Sequence, residues 1–463
     1  MTNPSWHRER NDRSLRYAGR VLPPNHPIHL ALSEEYGRRY DGQVAAIVAT
    51  NLLARMTPSV ALSIPDIDVA PPLPWAGMKL RRLLLEIAFA ADPFGRFEER
   101  HLRNGDYSLY FGRESSPATV HGSGWNAFVG PSTSPVPDSV QINPVGPALA
   151  VITAIGRVFA LQMQALDGPF LFNTFNWRNV IVPDCEVPAL DPQFDHGSLW
   201  AIGLGSVGTA ALYFLSLATL RFSPTLFDMD EAKTLNLDRS PVFSAADAAA
   251  LRKKVHATED YLRSVGLHNV KSEPFPLDQS GIWVARQAGT PDLIISAANE
   301  RDVRYLIEQS APPIQIYGTT GANWEASVVR HTPMVDACSC CLFPPGKPKP
   351  VATCATDTMV EQTTGREVDA SLPFLSFGAG LMAAAEILKT AMPGYPFSPN
   401  RTTLYMHPAA PPRLVSLPIR RRPECICAGR SASVHARMIE GTKHQHLSSV
   451  KAGTSPLHLR KTA

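Results

Sequence analysis

The sequence predicts an α/β protein whose second half, about residues 195–427, is a doubly wound, mostly parallel, Rossmann-like sheet. Three observations carry this. Apolar runs of strand length alternate with helical segments. A glycine-rich loop, Gly203-Leu-Gly205-Ser206-Val-Gly208, lies between the first such strand and the first helix. Two cysteine clusters, at 338–341 and 425–427, frame the end of the region with spacing suited to a metal ion.

Taken in order, Ser198 to Ile202 reads as a short buried strand and Ser206 to Leu220 as an apolar helix. Pro224 interrupts, and Thr225 to Asp228 is the next strand, ending in acid. Ala245 to Val265 reads as one helix closed by Gly266. Leu293 to Ala297 is a strand, Arg301 to Ser310 a helix, and Ile314 to Tyr317 a further strand. Residues 1–190 are less legible. Leu109-Tyr110, Thr119-Val120 and Ala127 to Val129 read as short strands, and Asn143-Pro-Val-Gly-Pro opens an apolar helix, Ala148 to Leu166. Late in the chain Leu372-Pro-Phe-Leu-Ser-Phe-Gly opens a similar helix, Ala379 to Thr390. The pair hints at an internal duplication; two unrelated alanine-rich core helices are the other reading.

At 463 residues the chain has room for two or three domains. Its 44% hydrophobic and 18% charged content suits a soluble globular protein. A net charge of +3 gives no argument for nucleic acid or a membrane surface. The charged N-terminus does not read as a secretory signal, and the longest apolar run, Ala210 to Leu220, is about half the ~20 residues a bilayer span needs. Seven clustered cysteines fit a reducing compartment, so a cytoplasmic protein is expected. Residues 430–463 are polar and basic and read as a disordered tail.

The loop matches G-x-G-x-x-G in its required strand–turn–helix setting. Glycines admit a phosphate close to the backbone, and the helix start offers free N–H groups. On the loop alone a nicotinamide or flavin enzyme is the commonest owner. The residues downstream change that balance. Asp228-Met-Asp230 ends the second strand, where an acid reaches a ribose. Asn236-Leu-Asp-Arg239 and Lys254 follow. A site that expels pyrophosphate needs fixed cations, because charge builds on the leaving group. Arg239 and Lys254 are placed to supply them.

In that order, GLGSVG, FDMD, NLDR and KKV resemble the ThiF/MoeB/ubiquitin-activating superfamily over about 230 residues. The resemblance implies a loop that binds ATP through Gly203, Gly205, Ser206 and Gly208, Asp228 on the ribose, and Asp230, Asn236, Arg239 and Lys254 around the phosphates. It implies magnesium as cofactor, and adenylation of the C-terminal carboxylate of a ubiquitin-like protein or sulfur carrier. One position departs from the family pattern. Asn299 stands where the family carries a metal-holding aspartate, so either Glu300 or Asp230 supplies the carboxylate, or phosphates and water hold the ion.

Cys338, Cys341, Cys425 and Cys427 form two short chelating pairs for a tetrahedral zinc, which the family resemblance makes structural. Cys340 is an extra thiol, leaving open which two of the first three ligate. Cys354 stands apart in a Pro/Thr-rich stretch. The resemblance implies that it is the nucleophile, on a crossover loop at 343–372, that takes the acyl group from the adenylate as a thioester. Cys185 reads as incidental.

Members of this superfamily adenylate within a pair of related domains, the partner's N-terminal helix commonly lending an arginine to the phosphates. The chain begins Leu15-Arg16-Tyr17-Ala18-Gly19-Arg20, and residues 1–190 hold no glycine loop. The resemblance therefore implies a degenerate, inactive adenylation-like half, with Arg16 or Arg20 reaching across. It also implies a ubiquitin-like protein and a ubiquitin-conjugating-like enzyme as partners, and a monomer with two pseudo-symmetric halves or a homodimer. Prokaryotic versions of this layout act in antiviral conjugation systems. Adenylation of a sulfur carrier, peptide or tRNA without transthiolation is the alternative, and a non-catalytic nucleotide-binding scaffold a third.

Overall fold

The structure is a computed structural model that describes residues 3–184, 187–277, 290–298, 301–310, 313–321, 323–333, 335–344, 359–360, 367–368, 372–392, 395 and 399–449. Two short helices, α1 (Pro4–Arg10) and α2 (Asp12–Ala18), precede the first sheet. That sheet holds β1 (Ile28–Leu32), β2 (Ser59–Ser63), β3 (Arg96–Glu99), β4 (Tyr107–Phe111), β5 (Thr119–Ser123), β6 (Asn126–Gly130), β7 (Phe170–Asn173) and β8 (Arg178–Asn179). Its helices are α3 (Glu34–Gly37), α4 (Tyr40–Met56), α5 (Leu80–Ala91) and α6 (Val145–Ala160). The second sheet holds β9 (Asp195–Ile202), β10 (Arg221–Phe227), β11 (Lys271–Glu273), β12 (Leu293–Ser296), β13 (Ile314–Gly321) and β14 (Glu325–His331). A two-stranded ribbon, β15 (Met359–Val360) and β16 (Glu367–Val368), stands apart, and β17 (Arg401–Tyr405) and β18 (Arg413–Leu417) complete the second sheet. Its helices are α7 (Ser206–Leu217), α8 (Ala245–Ala249), α9 (Lys254–Ser264), α10 (Arg301–Gln309), α11 (Ser339–Leu342), α12 (Pro373–Lys389) and α13 (Ala432–Ile439).

The two sheets share one topology. The first runs β3-β2-β1-β4-β5-β6-β7-β8 and the second β11-β10-β9-β12-β13-β14-β17-β18. In each, the first five strands are parallel and the last three alternate antiparallel. Helices α4 and α7 each follow the central strand, while α6 and α12 each join the sixth and seventh strands. The expected doubly wound α/β fold is present twice.

The halves share one hydrophobic core. Helix α12 packs on α7, its own half's first helix, and on α6 of the other half. Small residues let these helices close up: a Cβ added at Gly380 would meet the backbone of Ala210 and Ala211 at 2.8 Å. A buried polar cluster adds a second link. The Trp177 indole N–H donates to Glu386 at 2.6 Å, and the Lys389 ammonium lies 3.0 Å from Glu386 and 4.1 Å above the Trp177 ring. Burial pushes the Glu386 carboxyl up, but Lys389, Arg330 and its hydrogen bonds win and hold it at about 2.

Two helices differ from expectation. Ala148–Leu166 stops at Ala160 because Gln162 and Met163 turn left-handed (φ +50 and +63). Ala245–Val265 is two helices, with Leu251 at φ +48 between them. The break frees backbone groups for another use: Ala232 N–H donates to the Arg252 carbonyl and Lys254 N–H to the Asp230 carbonyl.

Residues 430–449 correct the expected disordered tail. Arg430 pairs with buried Glu308, and α13 and a short 3-10 turn (Gln445–Ser449) fold back on the second sheet. Met438, Ile439 and Leu447 are buried, an apolar minority that basic composition conceals. His444 stacks beside His196, ring centroids 5.5 Å apart, at the start of β9. Burial pushes His444 down to about 4 and His196 to about 3, with His446 nearby adding to the first and Asp195 and Asp292 partly opposing. Among the described residues, no helix is long and apolar enough to cross a membrane.

Both rings are held neutral in the fold but titrate near 6.5 when exposed. Their contribution is complete above pH 6.5 and is lost as pH falls toward 4. At pH 5 the penalty is about 2 kcal/mol for each ring. Urea unfolding at pH 7 and pH 5 should show the midpoint falling, and His444→Asn should flatten that dependence.

Candidate nucleotide site and cysteine cluster

The glycine loop leaves β9 at the C-terminal edge of the second sheet, between β9 and β12, where the order of strands reverses. Such crevices are where open α/β sheets bind ligands. Its three glycines do different work. Gly203 sits at φ +83, and a Cβ there would lie 2.7 Å from the Ala298 amide nitrogen. A Cβ on Gly208 would overlap the Gly203 carbonyl oxygen. Both are required by the fold itself. Gly205 is not: its φ is −73, and nothing among the described residues lies within 4 Å of a Cβ built there. Its bare backbone is useful only to something arriving from outside, and it caps α7, whose first N–H groups have no intrahelical acceptor.

The acids downstream fold onto this loop. Asp228 accepts from the Leu204 N–H at 2.6 Å and from the Asp230 N–H at 2.9 Å. Lys254 opens α9 with its ammonium 2.7 Å from Asp230 and 3.6 Å from Asp228. The helix break described above makes this possible, because it pairs residues 230–232 with 252–254 and swings Lys254 to the loop. Without a nucleotide, Lys254 is neutralised by carboxylates.

Asn236 ends a 3-10 turn and accepts from the Lys233 N–H at 2.9 Å. Arg239 follows, only 3% exposed. Its Nη1 bonds Asp238 at 2.9 Å, while its Nη2 is buried without a hydrogen-bond partner among the described residues. A buried, unpaired guanidinium nitrogen is costly unless an anion completes it. Asp238 was not singled out from the sequence. It is fully buried, and Ser14 of α2 donates to it at 3.2 Å. Burial pushes the Asp238 carboxyl up, and Arg239, Arg13 and Arg10 oppose that.

Of the arginines expected to reach across, Arg16 stays on its own helix and Arg20 reaches the second half at Trp324. Arg16 pairs with Asp12 at 3.0 Å on its own helix. Arg20 bonds the Ala160 carbonyl and stacks on Phe159 and Trp324. The N-terminal helices do reach the second half, but through Ser14 at Asp238 and Tyr17, which donates to the Gly321 carbonyl at 2.9 Å. Asn299, Glu300, Cys354 and Cys185 lie outside the described residues.

Cys338, Cys341, Cys425 and Cys427 converge with all four sulfurs within 4.8 Å of one another. Neighbouring sulfurs are 3.4, 3.5 and 4.0 Å apart. Four thiolates at about 2.3 Å from a tetrahedral zinc stand about 3.8 Å apart, so the set fits that ion. Cys340 is not one of the four, and its sulfur lies 3.8 Å from the Arg304 carbonyl. The tight Cys425-Ile-Cys427 spacing works because the Arg422 N–H caps Cys341 and a turn at Cys425 brings both sulfurs inward.

The profile of the ThiF family matches residues 193–426, just over half of the chain. The chain belongs to the ThiF family. This ThiF-family protein, an adenylating enzyme, is similar to two solved structures. Escherichia coli MccB with ATP is 16% identical over 52% of this chain and 68% of that one, with a TM-score of 0.39. The microcin C7 biosynthetic enzyme MccB with N-formylated MccA is 16% identical over 52% and 69%, with a TM-score of 0.40. No curated protein matches the sequence.

Two outcomes follow for the ThiF domain. Gly205→Ala should leave the melting temperature unchanged but weaken ATP binding by about tenfold or more, about 1.4 kcal/mol. Gly208→Ala should destabilise the fold instead, and calorimetry separates the two. Purified protein should release about one zinc per chain to a chromogenic chelator. Cys341→Ser or Cys427→Ser should abolish that release, and Cys340→Ser should not.

Proposed function

We propose that this protein activates the C-terminal carboxylate of a ubiquitin-like protein, and that residues 1–190 are its inactive, adenylation-like partner half. One observation carries the reading: a single chain holds two sheets of the same strand order around one core. Only the second has a phosphate loop. After β1 the chain reads Ser33-Glu34-Glu35-Tyr36, so that, counted from the strand end, Ser33 and Glu35 stand where the active half has Gly203 and Gly205. Gly42 remains, and a Cβ there would overlap the Tyr36 carbonyl oxygen, as Gly208 does with Gly203. The packing glycine survives, and Gly205, the one open to a phosphate, has no glycine counterpart. A fused pair of this kind supplies internally what a one-sheet activator obtains by dimerising.

In this reading ATP lies across the glycine loop, with Asp228 toward the ribose and Lys254 and Arg239 toward the phosphates. A carboxylate oxygen of the partner's C-terminus attacks the α-phosphorus. The bond from the α-phosphorus to the bridging oxygen breaks, and pyrophosphate leaves with the electron pair. Arg239 and Lys254 neutralise the charge that builds there. Asp230 is the described carboxylate we assign to magnesium, which would add further neutralisation. The Cys354 thiolate then attacks the acyl carbon, the bond to AMP breaks, and a thioester remains for a conjugating enzyme. An antiviral conjugation system is the setting the resemblance suggests.

Pyrophosphate exchange into ATP, measured with a small ubiquitin-like protein as carboxyl donor, is the test. The wild type should exchange and form a thiol-sensitive adduct. Cys354→Ala should keep exchange and lose the adduct. Exchange with a peptide or sulfur carrier and no adduct would assign a non-transthiolating activator. Absence of exchange with every donor would leave a nucleotide-binding scaffold.

A further inference from the structure

Helix α4 of the first half is apolar and buried nearly end to end, yet it carries Asn51 and Arg55 one turn apart. Both are buried, at 3% exposure each. Their hydrogen bonds leave their own half. Arg55 Nη1 donates to the Leu237 carbonyl at 2.7 Å, and Nη2 to the Pro241 and Phe243 carbonyls at 3.0 Å each. Asn51 donates to the Pro241 carbonyl at 3.1 Å and accepts from Arg55 Nε at 2.7 Å. The three carbonyls held by Arg55 bracket Arg239, one before it and two after.

We propose that Arg55 is a positioning residue for adenylation, through which the half without a phosphate loop fixes the backbone that presents Arg239 to the nucleotide. This deepens the functional reading above and rests on it. The segment 237–243 lies outside regular secondary structure: the Arg239 and Ser240 N–H groups bond back to the Asn236 carbonyl, while the carbonyls of Leu237, Pro241 and Phe243 are held by Arg55. A guanidinium suits the task because its planar fork meets several acceptors at once, which a lysine ammonium cannot do in the same geometry. The side chain of Arg239 is aimed separately by Asp238, which Ser14 of the first half also touches. Backbone and side chain of the one arginine are thus each set from the opposite half. Arg10, fully buried, anchors α1 to the Ala54 carbonyl and to Asp92 at 2.8 Å each, and so ties Ser14 and Arg55 to one rigid base.

The test compares ATP with AMP by calorimetric titration of the full chain. AMP lacks the β- and γ-phosphates that Arg239 would meet, so loss of the Arg239 position should weaken ATP alone. Arg55→Ala should lower ATP affinity about tenfold and leave AMP affinity unchanged. Arg239→Ala should do the same, and the double variant should be no worse than Arg239→Ala. An equal loss for ATP and AMP, or effects that multiply in the double variant, would overturn the inference. Should Arg55→Ala not fold, Arg55→Lys and Asn51→Ala give the same readout, with an intermediate ATP-to-AMP ratio expected and an unchanged ratio overturning it. Wild-type protein that binds AMP but prefers it to ATP would remove the functional reading itself, and this inference with it.

Discussion

The rest of the structure depends on the close packing of α12 against α7 and α6. Each sheet alone leaves one helix-covered face open, and the two faces are buried against each other. Small residues set the distance: at Gly380 any side chain would push α12 off α7. Because α7 also begins at the phosphate loop, the helix that fuses the halves is one step removed from the chemistry. The site cannot be assembled without the interface.

This arrangement explains why the first half persists without a phosphate loop of its own. It supplies the base on which the second half's catalytic turn rests. Arg10, Ser14, Asn51 and Arg55 all come from the first half and all converge on residues 237–243 or their immediate surroundings. Buried guanidiniums are unfavourable in isolation, and each of these is matched by carbonyls or a carboxylate. Arg10 and Arg239 each keep one buried nitrogen without a hydrogen-bond partner among the described residues, and that of Arg239 is the one we assign to an incoming anion. The cysteine cluster does the comparable job at the far end, joining the segment after β14 to the segment after β18, which share no strand pairing.

Much of the second half was legible because its signals are local. A strand, three glycines and a helix fall within a dozen residues, and their spacing alone implies a turn that admits phosphate. The zinc set was legible for the same reason, since chelating pairs are close in sequence. The tail was misread because composition averages over residues: a few buried ones, Met438, Ile439 and Leu447, outweigh a basic majority. The split helix was misread because the reason for the break, pairing of 252–254 with 230–232, lies 20 residues upstream.

The sequence by itself determined the fold class of residues 195–427, the glycine loop and the four thiols that could hold a metal ion, because each rests on short-range periodicity or spacing. Tertiary structure decided the strand order that the first half shares with the second, that Cys340 stands outside the group of four sulfurs, and that Ser14 and Arg55 face residues 237–243. The contacts of Ser14, Tyr17 and Arg55 join residues about 180 to 300 positions apart. Such contacts are set by how whole helices and sheets pack, which no local pattern encodes.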